Sequence, residues 1–314
     1  MIRVENLVKT YGSVHALDGL SLHVEPGVVY GFLGPNGAGK TTTLRILSGL
    51  ARPDRGQAWI MDQPVALRQS AGQGVAARLM VGVLPEEPAF YAWMTPRELL
   101  RDLVAPLYGM EPAEAAKRTN LLLEQVGLSG SADRRIGGFS RGMRQRLGLA
   151  QALVHRPKIL LLDEPVSALD PAGRKEVLEL IDDLRQQATV LLSTHILADV
   201  ERVCDMIGII NQGRMIIESE REALLERYAV PLIEVESDDA LENWAEQARS
   251  LPGVESVTLA NHTARLQVKD AATIQADLLA SLLRQGLHLQ RFEIVRPSLE
   301  DVFLRLTNST KPTD

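Results

Sequence analysis

Gly34-Pro35-Asn36-Gly37-Ala38-Gly39-Lys40-Thr41-Thr42 fits G-x-x-x-x-G-K-[ST], a loop whose backbone N–H groups wrap phosphates. Val28–Leu33 before it predicts a short buried strand. After it, Leu44, Leu47 and Leu50 recur at helical spacing, with a stop between Gly49 and Pro53. Strand, glycine-rich turn and helix is the context that the motif needs. At ordinary glycine frequency, a chance match in a chain of this length is roughly a one-in-a-hundred event. Gly37 and Gly39 let the backbone approach phosphate oxygens and take φ > 0. The helix that starts here aims its N-terminal dipole at the anion. Lys40 is placed to reach β/γ-phosphates and the Thr41 hydroxyl to ligate Mg²⁺, with Asn36 and Thr42 completing the candidate nucleotide loop.

The totals bound what surrounds this loop. A chain of 314 residues has room for one large domain or two smaller ones. Lys+Arg 34 against Asp+Glu 40, a net charge of −6, argues against a dominant nucleic-acid surface. A single cysteine, Cys204, excludes an internal disulfide and fits a reducing cytoplasm; its neighbours Leu197, Val200 and Val203 mark it as a small buried hydrophobe. Met1–Asn6 lacks the apolar core of a signal peptide, and no run approaches the roughly 20 apolar residues of a membrane span. Association with a membrane is therefore expected only through a partner.

Before the loop, residues 2–8 and 20–25 read as strands joined by a loop through Tyr11 and His15, and Pro26-Gly27 turns the chain inward. Tyr11 has the chemistry to stack on a base; taken alone it reads as a half-buried strand residue. His15 and His23 lack metal-ligand spacing and read as surface. Gly56–Met61 and Met80–Leu84 predict further strands, with a polar loop to about residue 78 between them and a helical pattern from there to about 136. Phe90, Tyr91, Trp93 and Met94 cluster in a chain that is only 4% aromatic. Two readings of that cluster stay open, core packing and a docking surface for another protein.

Ile159–Leu162 is wholly apolar and ends in Asp163 and Glu164. Such a run marks a central parallel strand covered on both faces, and acids at its carboxyl end lie where open α/β sheets bind ligands. Asp163 suits Mg²⁺, directly or through water. Glu164 suits polarising the water that attacks a γ-phosphate. A second apolar strand, Thr189–Ser193, ends in Thr194 and His195, which puts His195 within reach of the same phosphate. Ser140–Arg146 opens one helix, its three arginines reading as a solvated face, and Ser167–Pro171 opens another. A hairpin through Asn211–Arg214 and a charged helix at roughly 219–228 end the unit.

Beyond Pro231 the order is strand, helix, two-strand meander, helix, strand: βαββαβ, which predicts a small ferredoxin-like domain. Asp238, Asp239 and His262 read as surface there, and Pro297–Asp301 is expected to cap a final short helix. The expected organisation is a P-loop NTPase cassette over 1–220, of α/β class with a helical subdomain at about 86–154, followed by an α+β ferredoxin-like domain at 231–306.

These motifs, in this order, resemble the ATP-binding subunits of ABC (ATP-binding cassette) transporters over about residues 1–220. Tyr11 stands where that family stacks an aromatic on adenine. Gly34–Thr42 matches Walker A, Ile159–Asp163 Walker B and Glu164 the catalytic glutamate. Ser167–Asp170 matches the D-loop and His195 the switch histidine. Phe139–Met143 occupies the LSGGQ position, and the tail from Arg296 to Phe303 looks like the extension of a bacterial subclass that partners exporter-type permeases. Three positions depart from the family: Glu86 where a glutamine that senses nucleotide is usual, Arg141 for a glycine and Met143 for a glutamine. Ser140 and Gly142 remain.

The resemblance implies ATP and Mg²⁺ as cofactors, with Thr41, Asp163 and Glu86 toward the metal and Glu164 and His195 catalytic. It implies two cassettes, identical or paralogous, closing head to tail so that Ser140, Gly142 and Asp170 of one complete the nucleotide site of the other. It implies a separate transmembrane permease, reached through about Glu86–Leu107, and a place on the cytoplasmic face of the membrane. The alternative is an ABC-type ATPase without a transport role, although such proteins usually carry paired cassettes or long coiled-coil insertions. A GTPase or kinase is less well supported, since no Asn-Lys-x-Asp motif is present and Ser140–Arg146 would be unexplained.

Overall fold

The computed structural model describes residues 1–65, 77, 79–227, 231–295, 299–300 and 302–303. Two units divide the chain, Met1–Arg221 and Glu222–Asp314. The first begins β1 (Ile2–Tyr11), β2 (Val14–Val24), β3 (Val29–Leu33), α1 (Lys40–Leu47), β4 (Arg55–Ile60), β5 (Gln63–Pro64) and β6 (Val81–Leu84). A π-helical stretch, Glu98–Val104, runs into one α-turn at Ala105–Leu107. There follow α2 (Pro112–Gln125), α3 (Arg141–Leu153), β7 (Ile159–Asp163), α4 (Pro171–Leu184), β8 (Thr189–Thr194), α5 (Leu197–Val203), β9 (Met206–Asn211) and β10 (Arg214–Glu220).

Every residue of β3, β7 and β8 is buried, as strands covered on both faces require. They lie in a six-stranded sheet of order β10-β9-β3-β8-β7-β6, parallel except for β10 at its edge. The register decides the site. Leu33 pairs with Thr194, and Ser193 pairs with Asp163. The next residues along the three strands, Gly34, His195 and Glu164, therefore emerge side by side at the carboxyl end of the sheet. A second sheet, β2-β1-β4-β5, is antiparallel, and Leu7, Leu20 and Ile60 from it share a core with Phe32, Leu44 and Leu161.

Two local expectations change. The loop anticipated between residues 8 and 20 is a tight hairpin in which Tyr11 faces Val14. Gly12 takes φ 59° there, which a two-residue turn with glycine first needs, so both strands run further than their apolar pattern suggests. Likewise Ser219 and Glu220 pair with Ile207 and Met206 as part of β10, and the helix after it, α6 (Arg221–Arg227), begins only at Arg221.

The second unit carries β11 (Leu232–Ser237), α7 (Glu242–Arg249), β12 (Val254–Ala260), β13 (Thr263–Val268), α8 (Ala271–Arg284) and β14 (Leu289–Val295). Its sheet is fully antiparallel in the order β12-β13-β11-β14, the ferredoxin-like arrangement. Ile233, Val235, Ala264 and Leu266 alternate inward to pack on the fully buried Trp244, whose indole N–H reaches Ser281 Oγ at 2.8 Å. Leu299 and Val302 are buried. Arg296, Pro297, Ser298 and Asp301, which carry the expected cap of the last helix, lie outside the described residues, as does most of the polar loop ending near residue 78.

Candidate nucleotide site

The loop between β3 and α1 has the shape that its glycines were expected to give. Gly37 and Gly39 take φ 81° and 112°, and a Cβ on Gly39 would lie 2.6 Å from the Ala16 carbonyl oxygen. The Gly213 N–H donates to Ala38 O at 2.9 Å, tying the loop to the β9–β10 hairpin. Lys40 is buried, and its ammonium donates to Gly34 O at 2.6 Å and Pro35 O at 3.2 Å. Burial lowers its pKa below the ordinary lysine value, while Glu164, Asp163 and Glu86 pull it back up.

At the end of β7, Asp163 is buried and its Oδ1 accepts the Ser193 hydroxyl from the neighbouring strand. Glu164 is also buried and sits at φ 49°, an uncommon backbone region for a residue with a side chain. Its surroundings hold it there. Its N–H donates to Ser193 O at 2.9 Å, and its carbonyl accepts Ser167 Oγ at 3.1 Å and Gln145 Nε2 at 3.2 Å. The carboxylate Oε1 lies 2.8 Å from His195 Nδ1, and Oε2 accepts Thr194 Oγ1 at 3.4 Å. With Glu164 ionised the imidazole donates through Nδ1, which leaves Nε2 of this exposed histidine able to address a ligand.

A cleft of about 410 Å³ gathers Asn36–Thr42, Glu86, Asp163, Glu164, Ser167 and His195, with Val14 and Ala16 on one wall. It does not gather every candidate. Tyr11 is exposed at the end of β1 with the Lys9 ammonium 5.1 Å from its ring centroid, and it does not line the cleft. Ser140, Gly142 and Asp170 line a different depression of about 710 Å³. There Ser140 Oγ caps α3 by accepting the Met143 N–H at 3.2 Å, and the Asp170 carboxylate caps α4 by accepting Gly173 N–H at 3.0 Å.

The arginines after Ser140 are not all solvated. Arg141 is exposed, 3.9 Å from the equally exposed Glu87, a weak surface pair. Arg146 instead donates to Val126 O and, at 2.8 Å, to Glu176 on α4. The aromatic cluster also divides: Met94 is 7% exposed, while Tyr91 and Trp93 are 56% and 67% exposed with ring centroids 5.7 Å apart. Two residues of the site went unassigned in the sequence, Gln145 and Ser193. Their signals were there: Gln145 is a polar residue on the stripe of Gly148, Leu149 and Ala152, and Ser193 is a hydroxyl ending an apolar strand.

Among the described residues no three Asp, Glu, His or Cys side chains converge into a metal cage. The donors present are the Thr41 hydroxyl and Asp163 carboxylate with Glu86 at the mouth, all oxygen. So sparse an oxygen set fits Mg²⁺, which usually keeps water and phosphate as its remaining ligands. No helix among the described residues is long and apolar enough to cross a membrane.

Comparison with known proteins shows the family. Residues 17–167 match the ABC transporter family, and residues 220–307 match the C-terminal domain of DrrA1-3-like ATP-binding proteins. An uncharacterised ABC transporter ATP-binding protein of Bacillus subtilis (strain 168), YxlF, is 39% identical over 98% of this chain and 100% of its own length. The Nod factor export ATP-binding protein I of Paraburkholderia xenovorans (strain LB400) is 38% identical over 98% of this chain and 96% of its own. A dimeric ATP-binding cassette in a post-hydrolysis state with ADP and Pi superposes with a TM-score of 0.65 at 26% identity, covering 70% of this chain and 98% of that one. The chain belongs to the ABC transporter ATP-binding proteins: it is an ATPase subunit that drives transport through a partner permease.

Proposed function

We propose that this chain powers export by closing head to tail on a second cassette around ATP and Mg²⁺, and reopening after hydrolysis. One observation carries the reading. The cleft with Lys40, Asp163, Glu164 and His195 and the depression with Ser140, Gly142 and Asp170 are separate surfaces of one chain. A nucleotide site that uses both needs a second copy. The post-hydrolysis cassette above is a dimer, which supports this pairing, and the Nod factor relative carries export in its name.

Within the cleft the roles follow from placement. The Asn36–Thr42 amides and the Lys40 ammonium neutralise β/γ-phosphate charge. Thr41 and Asp163 would hold Mg²⁺, with Glu86, which lines the same cleft, joining through water; when bound the ion would offset phosphate charge beyond what Lys40 neutralises. Glu164 takes the proton from the attacking water, and His195, oriented by Glu164 through Nδ1, donates to the γ-phosphate through Nε2–H when the ring carries both protons. Tyr11 lies outside the cleft, but its hairpin partner Val14 lines it, and from that hairpin Tyr11 would stack on an adenine ring projecting from the cleft. Closure follows the γ-phosphate because ATP, unlike ADP, contacts both cassettes, and only such a differential contact shifts the equilibrium. Tyr91 and Trp93, exposed beside Glu86, form the contact with the permease that recruits the subunit to the cytoplasmic face of the membrane.

Three measurements test this. Lys40→Ala ends hydrolysis and weakens nucleotide binding; unchanged turnover removes the phosphate-loop assignment. Glu164→Gln sediments as a dimer with ATP and Mg²⁺ and reverts to a monomer on chelation, and a variant that stays monomeric sinks the closure step. Trp93→Ala keeps ATPase activity in the isolated subunit and loses recruitment to permease-containing membranes.

A further inference from the structure

The contacts around Glu164 close on themselves. Ser167 Oγ donates to the Glu164 carbonyl, and the chain runs from Ser167 through Asp170 into α4. One turn in, the Arg174 N–H donates to Asp170 O at 2.8 Å, and Arg174 Nε reaches Asp199 Oδ1 on α5 at 2.6 Å. Asp199 lies four residues after His195, and His195 Nδ1 returns to Glu164 at 2.8 Å. The circuit therefore links the 167–170 segment, which faces away from the cleft at Asp170, to the imidazole inside it.

Packing alone does not call for an acid at position 199. Asp199 is 1% exposed, and its Oδ2 has no hydrogen-bond partner among the described residues. A buried carboxylate is costly to keep, and breaking such a pair leaves the charge uncompensated. Burial raises the Asp199 pKa above the usual carboxylate value; Arg174 opposes this, Glu164 adds to it, and Arg202 opposes it further. The helix it belongs to needs an anchor. α5 has seven residues, too few to stand alone, and its N-cap, Ile196, contributes no side-chain cap. Val200 packs close to Gly31 of β3, but the first turn, where His195 leads in, is held laterally by Arg174.

We infer that Arg174 and Asp199 form a positioning pair for hydrolysis, tying α5 to α4 so that His195 stays on Glu164 and follows movements of the 167–170 segment. The inference rests on the roles proposed above for Glu164 and His195. Neither Arg174 nor Asp199 lines the nucleotide cleft, so both act through His195. A second ion pair offers an internal control. Arg202 and Glu179 join the same two helices at 3.0 Å, but at exposed positions further from the cleft.

The test is steady-state ATP turnover of the full-length chain with Mg²⁺, measured for the parent and for Asp199→Asn, Arg174→Met, Arg174→Lys, Glu179→Gln and His195→Ala, each with a melting curve. Asp199→Asn and Arg174→Met should lower kcat by about tenfold or more, the scale seen when a partner that orients a working side chain is removed, with KM for ATP within about threefold. Arg174→Lys should recover most of the lost kcat, and Glu179→Gln should leave kcat and KM at the parental values. Arg174 is one-third exposed, so its variants remain informative if Asp199→Asn fails to fold. The inference is overturned if His195→Ala loses turnover while Arg174→Met keeps it. It is also overturned if Glu179→Gln matches Arg174→Met, which would make the pair ordinary helix packing. Full turnover in His195→Ala would instead strike at the site assignment itself.

Discussion

Glu164 and Glu234 are both buried glutamates at the ends of short distances to basic groups, yet only one opens on the nucleotide cleft. Glu164, 6% exposed, sits at φ 49° beyond a strand end, faces an exposed histidine and opens on a cleft. Glu234, 8% exposed, lies within β11, an extended strand, opposite Arg265 on β13, whose Nε is 2.9 Å away, and is also bonded to Arg291 on β14. In the second unit a buried charge is met by two guanidinium groups on its own sheet. In the first, Lys40 faces Asp163, Glu164 and Glu86, three carboxylates to one ammonium, with no guanidinium of the same sheet among the described residues to meet them. Burial does not distinguish a working carboxylate from a structural one. Uncompensated charge on a strained backbone, next to space, does.

The largest expected effect separates the two residues directly. Glu164→Gln should cut kcat by about 10²- to 10⁴-fold, the range for loss of a general base, with little change in melting temperature. Ser193→Ala removes the hydroxyl that the Asp163 carboxylate accepts and should cost about tenfold in kcat, visible also as a higher Mg²⁺ requirement. Glu234→Gln should do the opposite: kcat stays within about twofold while stability falls by about 1–3 kcal/mol, read from urea melts, because the buried charge is lost and the amide turns an NH₂ donor toward one of the two arginines. If Glu234→Gln lowers turnover as Glu164→Gln does, the contrast is wrong and the second unit takes part in hydrolysis.

How much of this could be read in the sequence depends on the range of the forces involved. The phosphate loop, the apolar run of β7 ending in two acids, and the ferredoxin-like order of the second unit were legible because each is local: a turn, a strand period, a sequence of short loops. Leu232–Ser237 and Thr263–Val268 alternate cleanly enough for their pairing to follow. What was not legible comes from contacts distant in sequence. Glu164 takes φ 49° because Ser193 and Gln145, 29 and 19 residues away, bind its backbone, and no pattern around residue 164 announces that. Arg146 read as one of three solvated arginines, and only the approach of α4 gives it Glu176. The Tyr11–Val14 hairpin was hidden for a smaller reason: one glycine with positive φ replaces a loop.

The smallest effect concerns a half-buried polar group, His155, which lies in the first unit but outside the cleft. Its ring stacks on Tyr108 at 3.8 Å between centroids and 2° between planes; Nε2 donates to Val81 O at 3.2 Å, and Nδ1 is buried without a partner among the described residues. Burial lowers its pKa below the ordinary histidine value, the Val81 carbonyl pulls it back, and Arg118 lowers it further. Between the lowered folded value and the ordinary one, near about pH 6.5, the unfolded chain binds more protons than the folded chain, so stability rises with pH across that window. Acidification through it should therefore lower the melting temperature, and His155→Phe, which keeps the stack but cannot titrate, should flatten that slope. At neutral pH the same variant should melt slightly earlier, having left the Val81 carbonyl unbonded, while kcat stays unchanged. A slope that persists in His155→Phe assigns the acid sensitivity to other groups, and a fall in kcat would mean that a half-buried polar side chain can govern turnover without sharing the cleft, contrary to what Glu164 and Glu234 teach.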